Sequence, residues 1–178
     1  MILPRYAAIV VAILWALGLS GAALAQTQTQ TPKTKCGPDH AILYKRAVAL
    51  LDKAEKKLNA RYTAEAKSLV KEANSLFTIL QKECGQEQKD RLLTDKEAQQ
   101  EAINQKLGAD EGSAADRLMK SAEDKEKKAL QLEVSQKDLS LKYEREAKEE
   151  YEQAHKRYIK AGIYALRNQQ MIFSFLGK

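Results

Sequence analysis

Apolar residues recur every three or four positions through most of this chain, the spacing that gathers them on one face of an α-helix. Tyr44, Ala47, Leu51, Ala54 and Leu58 form one such stripe. Ala66, Leu69, Ala73, Leu76 and Leu80 form a second, widened by Val70 and Phe77. The first stripe predicts a helix over 39–59, led in by Pro38 and capped by Asp39. The second predicts a helix over 63–83, with Thr63 able to cap its start and Gly85 suited to a left-handed stop. Residues 59–62 leave room only for a short turn, so residues 38–85 are expected to form an antiparallel hairpin.

The pattern then weakens. Leu92, Leu93, Ala98, Ile103 and Leu107 give residues 86–112 a ragged apolar face, and the run Gly108-Ala-Asp-Glu-Gly112 reads as a break. Ser113 with Asp116 resembles a capping box that restarts the helix. Residues 113–178 contain no proline, and an unbroken helix over 114–176 would be about 95 Å long. Leu118, Ala122, Ala129, Leu132, Leu139 and Tyr143 keep one heptad frame, with polar Lys125 and Gln136 at two expected apolar sites. From Ala147 the frame is shifted by one residue, which would relax supercoiling locally; a break near 135–140 or at Gly162 is the alternative. Six acid-to-lysine pairs at i,i+4, from Glu123–Lys127 to Glu152–Lys156, favour helix throughout. No repeat of fixed period is present, and the tetratricopeptide signature is not met.

The N-terminus follows a different rule. Arg5, the apolar run 6–19 and Ala23-Leu24-Ala25 have the layout of a secretory signal peptide over 1–25. The run is short of the roughly 20 residues that span a bilayer, so cleavage is expected, leaving no transmembrane anchor. Residues 26–37 then form a polar, low-complexity leader. Export makes the two cysteines readable: Cys36 and Cys84 flank the hairpin at the same end and are expected to form a disulfide. The chain has only 8 Gly and 3 Pro, too few for a turn-rich β-sandwich. The expected class is all-α: a disulfide-stapled antiparallel hairpin followed by long, amphipathic, coiled-coil-like helices.

Charge and aromatic content narrow the function. The formal charge is +6, and the local excess lies on the first helix, at Lys45, Arg46, Lys53, Lys56, Lys57 and Arg61. Outside the cytoplasm such a face suits an anionic envelope surface, and nucleic acid is not an expected partner. Tyr143, Tyr151, Tyr158 and Tyr164, alternating with Ala147, Ala154 and Ala161, lead into an apolar end with Ile172, Phe173 and Phe175. This Tyr/Ala seam is the expected site for a protein partner or a second copy.

Catalytic signatures are absent. The 2 histidines, His40 and His155, lie in no HExxH, the cysteines in no CxxC, and neither GxSxG nor a Gly-rich phosphate loop occurs. No metal, cofactor or catalytic residue is therefore assigned. The expectation is an exported, non-enzymatic scaffold or adaptor of the cell envelope, periplasmic or extracellular. The alternatives are a holdase-type chaperone with helical arms and, third, a helical ligand carrier or enzyme.

Overall fold

A computed structural model describes residues 36–178; the expected signal peptide and nearly all of the leader lie outside the described residues. The order is α1 (Pro38–Asn59), α2 (Thr63–Asp90), α3 (Asp95–Leu132), α4 (Lys137–Ile172) and a 3-10 turn (Ser174–Gly177), with no strand among the described residues. The all-α class with a stapled hairpin is the one expected.

Pro38 occupies the first turn of α1, where its missing N–H costs nothing. The cap is not Asp39 but Gly37, whose amide donates to His40 Nδ1 at 3.0 Å. α1 ends in a Schellman motif: Tyr62 N–H donates to Lys57 O (2.9 Å) and Arg61 N–H to Leu58 O (3.0 Å). That motif needs a left-handed residue, and here it is Arg61, at φ 67°. Thr63 does not cap α2; it is the first helical residue, and Tyr62 precedes it without a side-chain cap.

The stripes pack as spaced. Tyr44, Ala47, Leu51 and Ala54 of α1 are buried against Ala66, Ala73, Phe77, Leu80 and Cys84 of α2. The Cys36–Cys84 disulfide closes the open end, with the Cα atoms 5.6 Å apart. α2 does not stop at Gly85 but continues to Asp90, because nothing there forces a left-handed backbone: no described glycine has positive φ.

The second half differs most from expectation. The predicted break at Gly108–Gly112 is helical, in the middle of α3. Glu111 within it is clasped from α4 by Arg157 (2.8 Å) and Lys160 (2.6 Å), and the long contact with α4 holds both glycines helical. Ser113 is accordingly no cap; α3 is opened by Thr94 and Glu97, each accepting from the other's amide (3.3 and 2.9 Å). Nor is 114–176 one helix; of the two alternative breaks, the one near 135–140 is present and the one at Gly162 is not. The chain reverses at residues 133–136, and Ser140, buried at the start of α4, donates to Ala129 O at 2.8 Å, closing the turn.

α4 is the shared element: it packs on α1, α2 and α3, whereas α3 packs on α4 alone among the helices. One face of its C-terminal half presents Ile159, Ile163, Leu166 and Phe173, continued by Leu176, to the α1–α2 core. Gly162 lies against α2, where a Cβ would stand in contact with Val70 Cγ1 at 3.4 Å. Arg91 bolts the corner, donating to Met171 O (3.3 Å), Ile172 O (3.1 Å) and Ser174 Oγ (3.1 Å) and pairing with Glu97.

Two predictions follow from these packings. Reducing the disulfide, or replacing Cys36 and Cys84 by serine, should lower stability by about 2–4 kcal/mol, read as a shift of the urea midpoint. Gly112 is helical with open space around its Cα, so Gly112→Ala should stabilise by about 0.5–1 kcal/mol in thermal unfolding. A loop at 108–112 would instead give no gain.

Candidate functional site

The Tyr/Ala seam exists as a surface, and α3 of the same chain lies on it. Ala147 and Ala154 of α4 are buried, as are Ala115, Ala122 and Ala129 of α3, so the two helices approach through methyl groups. The tyrosines lie along this contact. Tyr151 Oη donates to Glu126 (2.8 Å) and Tyr158 Oη to Asp116 (2.5 Å). Those hydrogen bonds to carboxylates push both phenols above their ordinary values, because ionisation would face a neighbouring negative charge. Tyr143 has Lys128 over its ring at 5.9 Å, and Tyr164 has Lys160 at the same distance.

The terminal aromatics separate from the seam. Phe173 is 0% exposed and belongs to the α1–α2–α4 core, with Ile172 and Phe175 packed half-buried around it. Phe173 is thus a core residue rather than a surface anchor.

The six expected i,i+4 pairs are not formed; within α3 and α4 the one such pair is Lys142–Glu146, at 3.9 Å. The charges bridge between helices instead, because neighbouring helices put acids within reach of the lysines. Lys125, polar at an expected core site, reaches Glu150 (2.9 Å) and Glu146 (3.0 Å) on α4. Burial raises the Glu150 carboxyl, but Lys125 and a hydrogen bond from Ser121 together outweigh it and the net shift is downward. Glu111 behaves alike: burial pushes it up, and Lys160 with Arg157 pulls it further down.

The basic first helix is partly neutralised. Arg46 pairs with Glu72 (2.6 Å) and Lys57 with Glu65 (2.6 Å), while Lys45, Lys53, Lys56 and Arg61 remain exposed. Cys36, His40 and Cys84 lie together, with ligand atoms within 4.8 Å, but both sulfurs are committed to the disulfide. His40 Nε2 faces Glu83 at 2.8 Å, which with the Gly37 contact fixes the imidazole.

The feature that the sequence reading missed is the free end of the α3–α4 pair. The α1–α2 turn lies level with residues 152–156 of α4, as Arg61 and Thr63 share a cleft with Glu152 and Lys156. Residues 137–151 therefore run about 22 Å past it, alongside α3. At the tip Val134 is 99% exposed, Leu130 65% and Leu141 45%. The available signal was Gln136, whose polarity interrupts the heptad frame where the chain turns.

Among the described residues no helix is long and apolar enough to cross a membrane. Comparison with family models, curated proteins and solved structures finds no match.

The ion pairs carry a pH signature. A carboxyl with a lowered folded pKa contributes stability that is full above its unfolded value and lost as pH falls through the folded one. Acid should therefore loosen the contact between α3 and α4, through Glu111 and Glu150, while the disulfide-closed hairpin persists. Hydrogen exchange against pH should show earlier loss of protection at 105–130 than at 66–84, and Glu111→Gln should flatten part of that difference.

Proposed function

We propose that this chain is an exported, non-enzymatic helical adaptor of the cell envelope, which engages a protein partner through the end of its α3–α4 arm. The carrying observation is the tip, where Leu130, Val134 and Leu141 stand in solvent beyond the level of the α1–α2 turn. Isolated exposed apolar residues are ordinary, but a group at the end of a projecting pair is the usual geometry of a contact surface. The Tyr/Ala seam takes a supporting part: its alanines and tyrosine hydrogen bonds stiffen the arm that carries the tip. The compartment rests on the N-terminal layout of residues 1–25 and on the cysteine pair.

Site-specific photo-crosslinkers at Val134 and, as a reference, at exposed Gln81 test this reading in the native cell. Position 134 should give a discrete adduct that position 81 lacks, and Leu130→Ser with Val134→Ser and Leu141→Ser should abolish it. These exposed changes should move stability by less than about 0.5 kcal/mol each, so loss of the adduct would report the surface rather than the fold. An adduct that survives the triple change overturns the proposal. Suppression of aggregation of several unrelated unfolded proteins would replace the adaptor by a holdase.

A further inference from the structure

A cleft of about 760 Å³ opens between the start of α2 and the middle of α4. Its rim carries Arg61 from the α1–α2 turn, Lys67 from α2, and His155 and Lys156 from α4; Glu152 is the one acid. Ile159, which is buried, and Tyr158 add apolar surface to its lining. We infer that this cleft is a binding site for a phosphate group, either on a soluble phosphate compound or on a lipid headgroup.

The inference rests on how the cations are arranged. Arg61, Lys67 and Lys156 come from three separate elements, and none has a side-chain hydrogen bond or ion pair among the described residues. Beyond residue 156 the cations of α4 find acids: Arg157 and Lys160 clasp Glu111, and Arg167 binds Asp52 (2.8 Å) and Glu55 (2.6 Å). Positive charges that converge on a concave, partly apolar site repel one another and focus the local field, and a multivalent oxyanion relieves both effects. Arginine and lysine together supply the fork and the point charges that phosphate oxygens accept from. The cleft falls within the size range of ordinary small-ligand sites. It lies beside the basic helix but uses only Arg61 of that set.

Arg61 makes a clean test, because its left-handed backbone suits glycine better than arginine. Arg61→Gly removes the cation and relaxes the turn, so any lost binding cannot be attributed to unfolding. Calorimetric titration with pyrophosphate forms one arm. Co-sedimentation with phosphatidylcholine vesicles, with and without phosphatidylglycerol, forms the other. The wild-type chain should bind in at least one arm, and the combination of Arg61→Gly, Lys67→Ala and Lys156→Ala should weaken it by about tenfold or more. Pyrophosphate binding identifies a soluble phosphate ligand, and binding confined to phosphatidylglycerol vesicles identifies a headgroup. Lys45→Ala with Lys53→Ala and Lys56→Ala removes the same charge from the exposed face of α1 and should leave binding near wild type. No binding in either arm, or equal loss in the α1 variant, overturns the site.

Discussion

The burial of one stripe of α4 against the α1–α2 hairpin is the interaction on which the rest of the molecule depends. A two-helix hairpin cannot enclose its own apolar faces, even when a disulfide limits its unfolded state. Ile159, Ile163, Leu166, Phe173 and Leu176 complete that core from a third direction. Each such side chain contributes roughly 1.5–3 kcal/mol on full burial, far more than an alanine does. The large buried side chains are concentrated at this end, and the buried apolar residues of α3 and of the outer half of α4 are alanines. The hairpin and the C-terminal half of α4 thus form the stable base, and α3 with the outer half of α4 derives its order from them. This gradient is what local unfolding follows, with thinly packed segments opening first.

Thin apolar contact also leaves the alignment of α3 on α4 poorly specified, since alanine stripes fit in several registers. Polar groups remove that freedom. Asn104 Nδ2 donates to Asn168 Oδ1 at 2.8 Å, and Asn168 Nδ2 donates to Glu101 O at 3.3 Å, both side chains being buried. A one-turn slip would strand these groups unsatisfied, which costs more than the hydrogen bonds contribute. Lys125 between Glu146 and Glu150 repeats the device further along, and Ser140 fixes the far end on Ala129 O. Arg91 secures the near end by joining the cap of α3 to the last carbonyls of α4.

Legibility in the sequence follows the same division. The stripes of α1 and α2 could be read because large apolar residues recur locally, and the cysteine pairing followed from the lengths of the two helices. Gly108–Gly112 was misread because two glycines signal a break only when no neighbour supports the helix; α4 does, through Arg157 and Lys160, 46 and 49 residues away. The turn at 133–136 contains neither glycine nor proline, so the sequence offered it only as an alternative to one long helix. Read as two helices, however, the heptad shift near Ala147 loses its meaning as a supercoil adjustment. The α4 frame simply begins at Ser140, a buried serine that hid the register. The Tyr/Ala seam was visible as a surface, but a surface pattern does not say whether its partner lies on the same chain. The arm tip escaped notice because exposed apolar residues at a turn have no periodicity.

Charge followed a less direct route from sequence to surface. The basic excess was read as belonging to the first helix, yet its character depends on which acids the fold places nearby. α2 neutralises Arg46 and Lys57, while Arg167 on α4 takes up Asp52 and Glu55, two of the acids that offset the lysines of α1. Lysines spread over a convex helix face are separately hydrated and screened within about 10 Å, so their sum exerts little directed force. The cations around the α2–α4 cleft differ in arrangement: Arg61, Lys67 and Lys156 come from three elements and line one concavity together with Ile159. The electrostatically distinctive place is a junction of three elements, one that no stretch of sequence contains.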